Sequence, residues 1–175
     1  MPASPDLLQS IDAIGAKSFS GELYRHTAPD REPLSGASAR AFGGRWNPRD
    51  SFSTIYLAQP VEACVGEFLR MAAGQGRGAE SFLPRDIHTV AANDLLLVNL
   101  TYAASLASVG IEPTDISAVD WGPCQRVGEA VYFLGYQGLM APSASGVGIV
   151  MAVFETRVRP DQLKVITKKP MSRYV

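Results

Sequence analysis

Apolar positions along this chain follow two rhythms, and the switches between them mark out its elements. Residues 5–14, Pro-Asp-Leu-Leu-Gln-Ser-Ile-Asp-Ala-Ile, have the spacing of a short amphipathic helix stopped by Gly15. Phe19 to Arg25 alternates, which predicts a strand with Leu23 and Arg25 on one face and Tyr24 on the other. Residues 28–50 hold three prolines and three glycines and read as a long loop, a length that points to function or disorder in a compact domain. Arg40, Phe42, Arg45 and Trp46 argue against disorder, because large aromatic side chains gain from burial. Ser53–Ala58 is the next predicted strand and Pro60 the first residue of a helix. Val61, Cys64, Val65, Phe68, Leu69 and Ala72 form the apolar face of that helix, with Glu67 on its flank. Gly74, Gly76 and Gly78 end it in a loop.

Strands follow at Ile87–Ala91 and Leu95–Leu100, then a short helix over Tyr102–Val109 ended by Gly110. A longer helix runs from about Pro123 to Gln137 with Gly138 as its stop. Leu139–Ala141, Val147–Glu155 and Leu163–Ile166 are the last strands, and Pro142 to Gly146 is a turn between the first two of them. Strands and helices do not alternate strictly, so the pattern favours α+β over a doubly wound α/β sheet.

Composition removes several classes of function. At 175 residues the chain is long enough for one domain with a real core. A net charge of −1 gives no general pull toward nucleic acid or anionic membrane. The two cysteines, Cys64 and Cys124, make neither a disulfide framework nor a four-ligand metal set. His26 and His88 lack companions at metal-ligand spacing, so no metal is assigned. The N-terminus has no basic segment leading into an apolar core, and no apolar run reaches the ~18 residues of a membrane helix. A cytoplasmic protein is the expectation.

Candidate chemistry sits in Gly43-Gly44-Arg45-Trp46-Asn47, Ile55-Tyr56-Leu57-Ala58 and Glu67. Two glycines before Arg45 allow a close backbone approach to a ligand, and Arg45 offers a planar fork of donors for phosphate or carboxylate. Arg25, from a separate strand, is a second candidate for the same anion. Tyr56 has an aromatic face, and Glu67 a carboxylate able to stabilise developing positive charge. Each has a plainer explanation. Arg45 and Arg25 can be structural ion pairs, Tyr56 a core aromatic, Glu67 an exposed partner of Arg70, and Ser143 an ordinary turn serine. Gly74-Gln75-Gly76-Arg77-Gly78 resembles a phosphate cradle only superficially, because no helix clearly starts after it.

Taken together, Leu23-Tyr24-Arg25, the Gly-Gly-Arg-Trp-Asn block, Ile55-Tyr56-Leu57-Ala58, Ala63 through Glu67 and Pro142-Ser143-Ala144 resemble the RES-domain family, the toxin halves of certain bacterial toxin–antitoxin pairs. The resemblance implies a single RES-type domain over 1–175, with a core from about 19 to 166. Its fold would be ADP-ribosyltransferase-like, with central β-sheets flanked by helices around an NAD cleft. It further implies cleavage of the nicotinamide–ribose bond of NAD, with ADP-ribose passed to phosphate or water, or alternatively to a protein. By position, Arg25 and Arg45 would hold the pyrophosphate or ribose, and Tyr56 would stack on nicotinamide. Glu67 would steady the ribosyl cation, and Ser143 would bond within the NAD pocket. The implied partner is an antitoxin with a helix-turn-helix DNA-binding part, joined in a hetero-oligomer, with no direct contact of this chain to nucleic acid or membrane. A non-catalytic nucleotide- or partner-binding module is the competing class.

Overall fold

The structure is a computed structural model that describes residues 3–175. Helix α1 (Pro5–Ile14) begins where Ser4 Oγ accepts the Leu7 amide and ends at Gly15, whose φ of +67° suits a residue without a Cβ. The order then runs β1 (Ala16–Thr27), α2 (Ala37–Phe42), β2 (Thr54–Gln59), α3 (Val61–Gly74), β3 (Asp86–Asn99), α4 (Ala103–Ser108), α5 (Gly122–Phe133), β4 (Gly138–Pro142), β5 (Ile149–Phe154) and β6 (Leu163–Pro170).

The six strands form two halves of one curled sheet. In the first, β3 pairs antiparallel with β1 from Ala16↔Val98 to Thr27↔Asp86, and its other edge takes β6. In the second, β5 lies antiparallel between β2 and β4. The halves meet at two corners. At one, β3 and β4 run parallel over Leu97↔Gly138 to Asn99↔Met140. At the other, β1 and β2 touch through a single pair, Tyr24↔Ala58, and then splay apart.

Alternation along the strands sorts their side chains. Leu23, Ile55, Leu57, Val90, Leu97, Met151 and Val153 fill the space between the halves. Tyr56 and Phe154, of opposite parity to their neighbours, face the layer of α1 and α5 with Trp46 and Val131. Helix α3 packs on both β1 and β2 at the splayed corner. Its apolar face there includes buried Cys64 and Phe68, and Tyr24 lies against it.

The mixed α+β class read from the sequence is the class observed, with local corrections. The loop over 28–50 contains α2 and a tight turn closed by a Gly44↔Asn47 bridge. The two strands read at 87–91 and 95–100 are one continuous β3. Asn93-Asp94 looks like a turn, but Asp94 sits at φ +50° and is held by β1: its amide donates to Ser20 Oγ, and its carboxylate accepts from Ser18 Oγ. Helix α5 ends at Phe133, short of the expected Gln137, with Gly135 at φ +90° just beyond it. Gly138 is instead the first residue of β4, where a Cβ would lie 2.2 Å from the Ala152 carbonyl oxygen. Strands β1 and β6 also run longer than read.

Candidate active site

Where β1 and β2 part, a cleft of about 580 Å³ opens, within the range of small-molecule sites. Arg25 and His26 line it from β1, Tyr56, Leu57 and Ala58 from β2, and Cys64 and Glu67 from α3. The Gly43–Trp46 turn, Arg85, Trp121 and Ala144 complete its walls. Arg25, Arg45, Tyr56 and Glu67, spread over 43 positions of sequence numbering, therefore share one hollow. A second hollow of about 570 Å³, beside Leu8, Phe52 and Tyr132, is less suited to chemistry. Its arginine, Arg157, is already committed to the carbonyls of Tyr132 and Tyr136.

Glu67 is half-buried and makes no ion pair with Arg70, which donates instead to the Ser117 carbonyl. Ser143 Oγ donates to Glu67 Oε1 at 2.5 Å. That spends the single hydroxyl proton, so the 2.7 Å contact between Ser143 and Ser145 has Ser145 as donor, and the Ser145 amide donates to Ser143 Oγ as well. One carboxylate oxygen is thus fixed and the other has no hydrogen-bond partner among the described residues. Gly66 makes room for this contact, since a Cβ there would meet Ser145 Cβ at 2.6 Å.

Tyr56 is held from its far end. Its hydroxyl donates to Asn47 Oδ1 at 2.7 Å and accepts from the Trp46 amide at 2.9 Å. Burial pushes its pKa well above the usual phenol value. The glycine pair has a packing role not foreseen from sequence: a Cβ on Gly44 would lie 2.5 Å from the Tyr56 hydroxyl oxygen, and Gly43 sits at φ +79°. The close approach that Gly44 permits is to tyrosine. Gln125 of α5 braces the same turn by donating to the Gly44 and Asn47 carbonyls.

Arg45 Nη1 donates to the carbonyls of Asp115 and Ala118, and its guanidinium lies 5.9 Å from the centre of the Trp121 ring. Arg25 Nη2 donates to the Ser35 carbonyl at 2.8 Å, while its Nη1 is buried with no partner. Burial lowers the Arg25 pKa to about 10, partly opposed by the Glu155 carboxylate. Among the described residues no arginine of the cleft is in an ion pair. An unpaired, desolvated guanidinium nitrogen is costly unless a ligand supplies the anion. Cys64 is inert by the same physics, its thiol pushed up to about 12 chiefly by burial.

His26 and Arg85 complete the cleft and were not assigned roles from sequence. Arg85 Nε donates to His26 Nδ1 at 2.8 Å, and the imidazole meets the Phe68 ring edge-on. Burial, then the charges of Arg85 and Arg25, lower the His26 pKa to about 3, so the ring is neutral. With Nδ1 accepting, its proton resides on Nε2. The 59-residue separation of this pair leaves no local motif to find.

A strand seam opened into a cationic hollow, with an aromatic wall and a single anchored carboxylate, defines an α+β protein with a cleft whose chemistry suits an anionic, ring-bearing ligand. The RES domain profile matches residues 22–173, and the chain belongs to that family. It is 44% identical over 161 residues, spanning 91% of this chain and 87% of the relative, to the NAD(+) phosphorylase MbcT of Mycobacterium tuberculosis, and equally to that of Mycobacterium bovis. The structure superposes with a TM-score of 0.89, at 41% identity, on a chain of the M. tuberculosis MbcT–MbcA toxin–antitoxin complex. That match covers 95% of this chain and 92% of the other. No helix among the described residues is long and apolar enough to cross a membrane.

Proposed function

We propose that the whole chain acts as one RES-type unit, the toxin of a toxin–antitoxin pair, which cleaves the nicotinamide–ribose bond of NAD and passes ADP-ribose to phosphate. The observation that carries this reading is the Glu67 carboxylate, fixed on one side by Ser143 and open on the other, in a cleft with Arg25, Arg45 and Tyr56. Nicotinamide leaves as a neutral ring, so no strong general acid is needed. What the site must supply is orientation and charge. The Tyr56 hydroxyl is already engaged, which leaves its ring face to stack on nicotinamide. The free oxygen of Glu67 holds a ribose hydroxyl and stabilises the oxocarbenium-like transition state. Arg25 Nη1, and the Nε and Nη2 of Arg45, have unspent donors for the pyrophosphate.

The test is nicotinamide release from NAD by purified protein, with and without phosphate. Phosphate-stimulated release, with the phosphate recovered on the anomeric carbon of ADP-ribose, is the expected result. Absence of release under both conditions, from folded protein, would count against the reading. Glu67→Gln is expected to keep the fold and to lose roughly a hundredfold or more in turnover. If tagged NAD labelled a protein band in cell extract, protein ADP-ribosylation would replace phosphorolysis.

An antitoxin partner is part of the same proposal, supported by the antitoxin in the matching complex. We further propose that it carries a helix-turn-helix DNA-binding part and acts with this chain in the cytoplasm, where NAD is available. Co-purification with the product of the neighbouring reading frame tests the pairing.

A further inference from the structure

We propose that Arg85, held in place by His26, is the subsite for the attacking inorganic phosphate, separate from the dinucleotide's own phosphates. This rests on the phosphorylase reading above. The cleft lining contains three guanidinium groups and one carboxylate, and they fall into two groups. Arg45 lies beside Tyr56 and Cys124, and acts electrostatically on both. Arg25, Arg85 and Glu67 line the cleft with Cys64, and all three act electrostatically on its thiol. A pyrophosphate spanning Arg25 and Arg45 leaves Arg85 unassigned.

Arg85 is prepared for an anion. Its Nε is spent on His26 Nδ1, and its guanidinium lies 5.8 Å from the centre of the Phe68 ring, so the head is oriented without an acidic partner. Among the described residues its two terminal nitrogens donate to nothing. Their four N–H groups form the fork that fits a phosphate edge.

Phosphorolysis has an electrostatic problem that hydrolysis lacks. A phosphate dianion must approach the anomeric carbon beside the Glu67 carboxylate, and the two repel; neutral water meets no such barrier. A guanidinium lining the same cleft offsets that repulsion. In the step itself a phosphate oxygen lone pair forms the bond to the anomeric carbon as the carbon–nitrogen bond breaks. That bond's electron pair stays on the ring nitrogen, so nicotinamide departs neutral and no proton has to leave. Arg85 thereby sets the choice of phosphate over water.

The experiment is the kinetics of Arg85→Gln with NAD and phosphate varied independently, together with line broadening of inorganic phosphate in phosphorus NMR by protein without NAD. The expected result is a KM for phosphate raised roughly ten- to hundredfold, matching loss of one or two charge-assisted hydrogen bonds. The KM for NAD should change little, the product ratio should move from phosphorylated to hydrolysed ADP-ribose, and the broadening should weaken. A raised KM for NAD with an unaltered product ratio would assign Arg85 to the dinucleotide and overturn the proposal. So would unchanged phosphate kinetics. Should Arg85→Gln fail to fold, Arg85→Lys, which keeps charge but loses Nε–H, and His26→Phe, which removes the acceptor, are read for the same shift in smaller degree; no shift in either is a refutation. If wild-type protein releases nicotinamide independently of phosphate, the phosphorylase reading itself fails. If wild type depends on phosphate and the variants do not differ from it, only the subsite fails.

Discussion

Both hydrogen-bonding sides of the Tyr56 hydroxyl are spent on Asn47 Oδ1 and the Trp46 amide before any ligand arrives. A group so placed is a brace, and its ring is what remains for the cleft. Tyr56→Phe keeps that ring but strands the buried Asn47 side chain and the Trp46 amide. We expect a loss of about 1–3 kcal/mol in urea unfolding, with nicotinamide release at saturating NAD lowered by less than about tenfold. A folded variant slower than that by orders of magnitude would give the hydroxyl a chemical role. At the same scale, Ser143 differs from a common turn serine only through Glu67, 76 positions earlier in the chain, so nothing in the turn's own composition announces it.

Helix α5 backs the turn that carries Arg45, and Gly128 packs directly against it. A Cβ there would lie 1.7 Å from the Trp46 carbonyl oxygen. Glycine to alanine within a helix ordinarily gains about 0.5–1 kcal/mol. Here overpacking against a backbone atom outweighs that gain, and Gly128→Ala is expected to be destabilised by about 1–3 kcal/mol. A thermal melt checks the sign, and an unchanged or raised midpoint would show that the helix can step back. Elements of this kind were partly legible in the sequence. The face of α3 could be read because one helix repeats its buried positions at a fixed spacing, and Tyr56 and Glu67 were located by the strand and helix around them. Local pattern splits β3 because Asn93-Asp94 has turn composition, and only the serines of β1 carry it through as strand. Arg85 was invisible for a similar reason. It is one charge beside Pro84, and its closeness to His26 comes from the long antiparallel pairing of β1 with β3. Local pattern encodes elements, whereas register between distant strands encodes which side chains meet.

Across the whole molecule, His26 links the cleft to acid stability. Its folded pKa of about 3 lies below the value of 6.5 for an ordinary imidazole, through burial and then the charges of Arg85 and Arg25. Between those values the unfolded chain binds the proton that the folded one refuses. This contribution to stability is therefore intact above about pH 6.5 and is lost progressively as pH falls toward 3. His88, lowered mainly by burial, acts in the same direction. The urea midpoint should drop between about pH 7 and about pH 4, and drop less in His26→Gln. Equal drops in the two proteins would refute this account of His26.

The single Tyr24↔Ala58 pair has one more consequence. A pit left by small side chains refills when one of them mutates to something larger. This recess exists because two strands diverge, and erasing it would require them to slide into a new alignment along their whole length. The opening should therefore outlast turnover of the residues around its mouth, free to change what it accepts while its existence stays written in the backbone.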